Sequence, residues 1–185
     1  MYYVVKYSGP FAFIKPWTAV RDTGGGETYS QQFLTPSIIE GMRQKLEVTK
    51  IIRHKLTYVT INLQQETVKA KAWNFSKGRY TMDASILKRG VLINPCLYLA
   101  FEKEIDADKA HKQHICLCRN EDILLPSKDI MEVSEQEFNE LDGYELRFGK
   151  GEKSFLVGYD RFSNNSEMFG WLDIVGTPVK NSYNE

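Results

Sequence analysis

The sequence predicts an α+β fold, a strand-rich antiparallel sheet carrying one main early helix. Three observations point to it. Short segments of alternating apolar and polar residues recur along the chain, the pattern of half-buried strands. One early segment instead has helical spacing and a strong start signal. No repeat, low-complexity tract or interdomain linker interrupts the 185 residues, which suit a single domain.

Tyr2 to Tyr7 is β-rich and reads as the first strand. Ser8 to Leu46 follows as strand exit, polar loop and helix. The loop sets Lys15, Trp17, Arg21 and Tyr29 beside Gly24, Gly25 and Gly26, where the backbone bends freely or approaches a ligand closely. Thr35 caps the helix with Pro36 at its first position, or, two residues on, Ser37 and Glu40 form a capping box. Ile38, Ile39, Met42 and Leu46 share one face of it. Tyr58 to Leu63 alternates, with Val59, Ile61 and Leu63 toward the core. Val68 to Phe75 alternates again with Lys69, Lys71 and Trp73 outward, and Ser76-Lys77-Gly78-Arg79 turns a hairpin with a basic tip. Gly90 and Pro95 lead into a strand from Leu97 to Phe101. A charged segment, Glu102 to Lys112, joins it to a short strand from His114 to Arg119. Ser134 and Glu137 form a capping box before a short acidic helix, and Asp142-Gly143 turns the chain. Phe155–Val157 and Trp171–Val175 are the best strands of an irregular β remainder. The tail after Pro178 is polar and reads as frayed.

With 42% hydrophobic and 12% aromatic residues the chain has material for a core, which excludes wholesale disorder. Its apolar runs are too short for a membrane span, and its start lacks a signal-peptide layout. Three cysteines, an odd number, fit free thiols in a reducing compartment, hence a cytoplasmic location. The formal charge is zero, but unevenly spread. Residues 1–101 hold 14 lysines and arginines against 6 acids, and the remainder 10 against 18. A basic working face and an acidic second face would produce this; so would halves that interleave in space.

The basic-aromatic loop and the Lys69, Lys71, Trp73 row combine cations for phosphates with rings for unpaired bases, which suits single-stranded nucleic acid. The bland alternative is a solvated strand face with Trp17 and Trp73 in the core. His111-x-x-His114-x-Cys116-x-Cys118 has imidazoles and thiolates, but not a usual zinc spacing. Buried cysteines and surface histidines are favoured there, with no metal and no cofactor. His111, Lys112 and His114 are also the candidate acid, base and phosphate-stabilising groups of a metal-independent ribonuclease. His54, between Arg53 and Lys55, reads as a phosphate contact or a surface residue. No GxSxG, P-loop or HExxH occurs.

These residues together resemble the fifth CRISPR-associated family (Cas-five) of the RAMP superfamily, closest to its type I-C form. SGPFAFIKP contains the F-x-x-P segment, Phe13 to Pro16. Thr35-Pro36-Ser37-Ile38-Ile39-Glu40-Gly41 is similar to the T-P-S/T-x-x-x-G helix entry. Ser85-Ile86-Leu87-Lys88 resembles a leucine-arginine segment, Cys118-Arg119 a Cys-Arg pair, and Gly158-Tyr159-Asp160 a late strand. The resemblance covers the first 46 residues well and the last 30 hardly at all. It implies a modified ferredoxin-like (RRM-like) palm with a basic β-hairpin thumb within about residues 69–89. It further implies a subunit of a type I CRISPR surveillance (Cascade) ribonucleoprotein that caps the 5′ handle of CRISPR RNA in antiviral defence. Its partners there are the large subunit and a backbone subunit, without a membrane. The implied RNA-binding set is Lys15, Trp17, Arg21, Tyr29, Arg43, Arg53, Lys69, Lys71, Arg79, Lys88, Arg89 and Arg119. The type I-C form also cuts precursor RNA with a tyrosine after the first helix and an adjacent Lys-His pair. Here Glu47, Val48 and Thr49 follow the helix, no tyrosine comes before Tyr58, and Lys112 and His114 are not adjacent. Leu117 and Asn120 replace the residues flanking the Cys-Arg pair. The reading is therefore a subunit that holds RNA without cutting it. The alternatives are a repeat endoribonuclease using His111, Lys112 or His114, and a phage-borne or stand-alone mimic of the subunit.

Overall fold

Tyr2–Ser8 forms the first strand, β1, sending Tyr3, Val5 and Tyr7 to one face of the sheet and Tyr2, Val4 and Lys6 to the other. The computed structural model of the chain describes residues 1–16, 27–160 and 164–180, and of residues 68–72, 83–85 and 160 the backbone alone. Two short pieces, β2 (Phe11–Ala12) and β3 (Glu27–Tyr29), precede α1 (Pro36–Leu46). Of the two capping frames the first is used: Thr35 is extended, and its Oγ1 accepts from the Ile38 N–H at 3.3 Å. Glu40 instead pairs with Arg43 at 2.8 Å. There follow β4 (Arg53–Thr57), β5 (Thr60–Ser76), β6 (Arg79–Ile93), β7 (Cys96–Phe101) and α2 (Glu104–His111). The chain ends in β8 (Ile115–Cys116), β9 (Ile123–Val133), α3 (Glu135–Glu140), β10 (Gly143–Phe148), β11 (Phe155–Asp160) and β12 (Ser166–Val175).

The main sheet has the order β11-β12-β10-β4-β7-β1-β9-β8. Its centre is the ferredoxin-like pattern: β1-α1-β4-β7-α2-β9 in sequence, β4-β7-β1-β9 in space, each neighbour antiparallel. Met42 and Leu46 of α1 and Ala107 and Ala110 of α2 close one face over Val5, Tyr7, Leu56, Leu97 and Leu99. The Tyr7 hydroxyl donates to the Ala110 carbonyl at 2.6 Å, fixing the end of α2 to the sheet. On the opposite face Phe138 of α3 packs with Val4 and Ala100. The expected Ser134–Glu137 capping box starts α3, with both reciprocal bonds present.

Between β4 and β7 the chain leaves the sheet as one long hairpin, β5 and β6, paired from Thr60–Ile93 to Ser76–Arg79. The hairpin expected over 69–89 is its outer part. Lys77 and Gly78 both have positive φ, 51° and 77°, the two-residue turn that matches strand twist. β2 and β3 flank β6 at its root. Leu63, expected to be buried, is 47% exposed, because β5 has already left the core at that point.

Other expectations change as well. Only Ile115–Cys116 of the expected strand His114–Arg119 pairs, while Cys118 and Arg119 lie in the turn that follows. The remainder after Asp142, expected as irregular β, joins the main sheet: β10 pairs with β4 and β12, and β12 with β11, the last pairing shifting register between Leu156 and Gly158. The first part of the tail, Pro178 to Lys180, is tied down, since Tyr58 N–H donates to Pro178 O at 3.1 Å and Lys180 N–H to Tyr58 O at 2.8 Å; residues 181–185, also expected to fray, lie outside the described residues. The basic and acidic halves of the sequence share one sheet, where Arg53 of the first half meets Glu145 of the second.

Candidate nucleic-acid interface

Three of the sequence motifs meet at the root of the hairpin. Phe13 is buried, and two guanidinium groups lie against its ring: Arg89 at 5.1 Å and Arg119 at 5.7 Å from the centroid. Each arrives with a carboxylate. Arg89 Nε donates to Glu66 Oε2 at 2.7 Å across the hairpin. Arg119 Nη2 donates to Asp122 Oδ1 at 2.6 Å, and its backbone N–H donates to Asp122 Oδ2 at 3.0 Å. Asp122 is fully buried, so Arg119 first neutralises an internal charge. The Asp122 bond, against some cost of burial, holds the Arg119 guanidinium above its ordinary basicity. Both arginines are fixed in direction and partly open, able to offer their remaining N–H groups to a phosphate.

The other face of the root carries Tyr29, Glu27 and Lys88. The Tyr29 ring lies directly on Gly90, where an added Cβ would collide with it and with Ile61. Tyr29 is 51% exposed, and Lys88 Nζ donates to Glu27 Oε1 at 3.1 Å. The glycine loop is closed at its base: Ile14 N–H donates to Ser30 Oγ, and Gln31 N–H donates to Ile14 O, both at 2.9 Å. Lys15 stands exposed just outside that closure. Trp17 and Arg21 fall outside the described residues.

Further along the arm Trp73 is 62% exposed. It lies opposite Met82, and Phe75 lies opposite Tyr80 with ring centroids 5.0 Å apart. The alternation places these four side chains in one row, next to the exposed Arg79 at the tip. The side chains of Lys69 and Lys71 fall outside the described residues.

Other members of the candidate set lie elsewhere. Arg43 forks onto Glu40 along α1, an association that pulls the Glu40 carboxyl down to about 2. Arg53 is buried and bound to Glu145, and so is not free for a phosphate. His54, expected on the surface, is 2% exposed and accepts the Leu146 N–H at Nε2. Lys55 is wholly buried and donates to the Asn139 and Leu141 carbonyls at the end of α3. His111 is half-buried at the end of α2, with Lys112 and His114 exposed beyond it. Among the described residues no hydrogen bond joins these three, and no three metal-ligating side chains converge. No described helix is long and apolar enough to cross a membrane.

Sequence reasoning passed over a second basic feature, a cleft between Lys6 and Lys180 on the sheet face opposite α1 and α2. The alternation Val4-Lys6-Ser8 already puts Lys6 on that face. Lys180 is brought there by the tail's bonds to Tyr58, which no local pattern signals.

No family model matches the sequence, and no curated protein matches it. Among solved structures the chain is similar to one belonging to a CRISPR RNA-guided surveillance complex, with a TM-score of 0.54 at 11% identity. The likeness covers 100% of this chain and 95% of the other. The two share a fold: an α+β, mostly antiparallel, ferredoxin-like architecture.

Proposed function

We propose that this protein is a non-catalytic subunit of a type I CRISPR surveillance complex, of the Cas-five kind, that binds and caps the 5′ handle of CRISPR RNA. The observation carrying this reading is the fold likeness to a chain of an RNA-guided complex over the whole length. The chemistry of the root and arm supports it. Lys15, Tyr29, Lys88, Arg89 and Arg119 gather around the place where the arm leaves the palm, and Trp73 and Arg79 extend the same mixture outward. Cations neutralise a phosphate chain while exposed rings stack its unpaired bases. The arm and the C-terminal strands also expose Phe75, Tyr80, Phe148 and Ile174, apolar surface suited to the large and backbone subunits.

Co-purified complex should contain CRISPR RNA. A Lys15→Ala, Arg21→Ala double variant should bind the handle about tenfold more weakly and show a smaller salt slope, by about 0.7 for each phosphate that is no longer neutralised. Unchanged binding would remove the loop from the site. Trp73→Ala should leave the melting temperature unchanged and cost about 1–3 kcal/mol of RNA binding if a base stacks there. An unaltered affinity would assign the aromatic row to protein contacts instead. Labelled repeat RNA should remain intact with the purified protein in EDTA; cleavage would favour the endoribonuclease reading through His111, Lys112 or His114.

A further inference from the structure

At the foot of the arm, on the face opposite α1 and α2, a cleft of about 440 Å³ opens between β1, β7 and the tail. Its floor is a patch of cross-strand neighbours on one face: Lys6 beside Tyr98, and Ser8 and Thr57 on either side of Cys96. Lys180 forms a wall, anchored by its backbone bond to Tyr58. Val59 and Asn94, where the arm begins and ends, form the rim.

The charge of this cleft is unbalanced. Two lysines line it, and among the described lining residues none is acidic. Lys180 is shared with Asp142 at 2.5 Å, whereas Lys6 lies over the Tyr98 ring at 5.8 Å and is in no ion pair with a described carboxylate. Both ammonium groups act on Cys96 between them. Burial pushes its thiol up, while Lys6, Lys180 and bonds from Tyr98 and Thr57 pull it the other way. The unpaired Lys6 charge, facing Lys180 across one polar, half-enclosed space with hydroxyls around it, favours an anion with oxygen acceptors, which would share Lys180 with Asp142. The volume exceeds what a bare phosphate needs and leaves room for an attached sugar and base.

We propose that this cleft seats one nucleotide of single-stranded RNA, its phosphate between Lys6 and Lys180 and its nucleoside over Cys96 and Tyr98. The inference rests on the RNA-binding reading above and adds a second contact, on the palm face, to the contacts of the loop and arm. A strand held at the arm's root would pass over this rim on its way across the palm.

Cys96 reports on occupancy. In a Cys116→Ser, Cys118→Ser background it is the single remaining thiol of the chain's three. The probe is single-stranded RNA enriched on the protein from a randomised pool. Bound RNA should slow alkylation of Cys96 by iodoacetamide about tenfold or more, because only the exposed thiolate reacts. Lys6→Gln, with an unchanged melting temperature, should abolish that protection, weaken RNA binding about three- to tenfold and lower the salt slope by about 0.7. RNA that binds while Cys96 reacts at its free rate would overturn this site and leave the RNA-binding reading standing. Protection by a mixture of mononucleotides but not by RNA would assign the cleft to a free nucleotide and overturn it too. A pool that yields no binding RNA would bring down both.

Discussion

Replacing Arg53 with alanine is expected to destabilise the protein by about 3–5 kcal/mol, the cost of leaving an internal carboxylate without its cation. The guanidinium forks onto Glu145, with Nε to Oε1 at 2.5 Å and Nη2 to Oε2 at 2.7 Å, and adds a bond to Asn139 Oδ1 at 3.0 Å. It also lies 5.2 Å from the Phe138 ring centroid, so one side chain ties β4 to both β10 and α3. Glu145 is 2% exposed and has no water to turn to once Arg53 is gone. At about 2–4 °C for each kcal/mol in a domain of this size, the change would be plain in a thermal melt. Arg53→Met combined with Glu145→Leu should recover much of the loss, since an apolar pair needs no charge compensation. A melting temperature for Arg53→Ala within a degree or so of the parent would show that the pair is not sequestered in solution.

Lowering the pH from 7.5 to 5 should remove about 2 kcal/mol of stability through His54 alone. Burial, aided by the neighbouring Arg53 charge, holds the folded-state pKa of His54 at about 3, against 6.5 for the ordinary side chain. Between those values the unfolded chain takes up a proton that the folded chain refuses. The contribution of His54 is therefore whole above the unfolded pKa and declines as pH falls through 6.5 toward 3, by about 1.4 kcal/mol per pH unit. Carboxylates held below their usual range, Glu40, Glu137 and Asp142, act in a lower window: their contributions are present above their unfolded pKa values near 4 and fade beneath them. The interval from pH 6.5 to 5 isolates the histidine. Urea midpoints at the two pH values measure the loss, and His54→Gln, which keeps an acceptor for the Leu146 N–H, should flatten it. An equal decline in His54→Gln would assign the pH dependence to other groups.

Arg53, His54 and Lys55 also show where sequence reasoning runs out. A run of Arg-His-Lys reads locally as a solvated, phosphate-ready stretch. All five residues of β4 are nevertheless buried, because α1 and α2 cover one face, α3 lies over the other, and β10 and β7 pair along its two edges. The partner that makes this tolerable, Glu145, is 92 residues away in sequence, beyond the reach of periodicity or motif spacing. β9 is hidden for a different reason. It contains Pro126, which sits opposite Tyr7 just past a bulge in the pairing with β1, a position where a missing N–H is tolerated. The legible elements all carry their signals locally: the Thr35 cap, the Ser134–Glu137 box, the β-rich runs of β1 and β7, and the hairpin turn at Lys77-Gly78. At the candidate site, the basic-aromatic character of the arm is readable from Trp73, Phe75 and Arg79. The convergence of Arg89 and Arg119 on Phe13 is not, since it depends on three distant stretches of chain meeting at the arm's root.

The insertion of the arm between two central strands makes its length an independent variable. Its 17-residue strand spans about 50 Å at roughly 3.3 Å per residue, while the palm is closed beneath it by β4, β7 and their neighbours. One residue added to each strand would advance the tip by about 3.3 Å and turn the row of Trp73, Phe75, Tyr80 and Met82 to the opposite side; two added to each would advance it by about 7 Å with the row unturned. The arm is thus a graduated spacer whose working increments are pairs, and the distance it measures between palm and tip can drift without the palm having to refold.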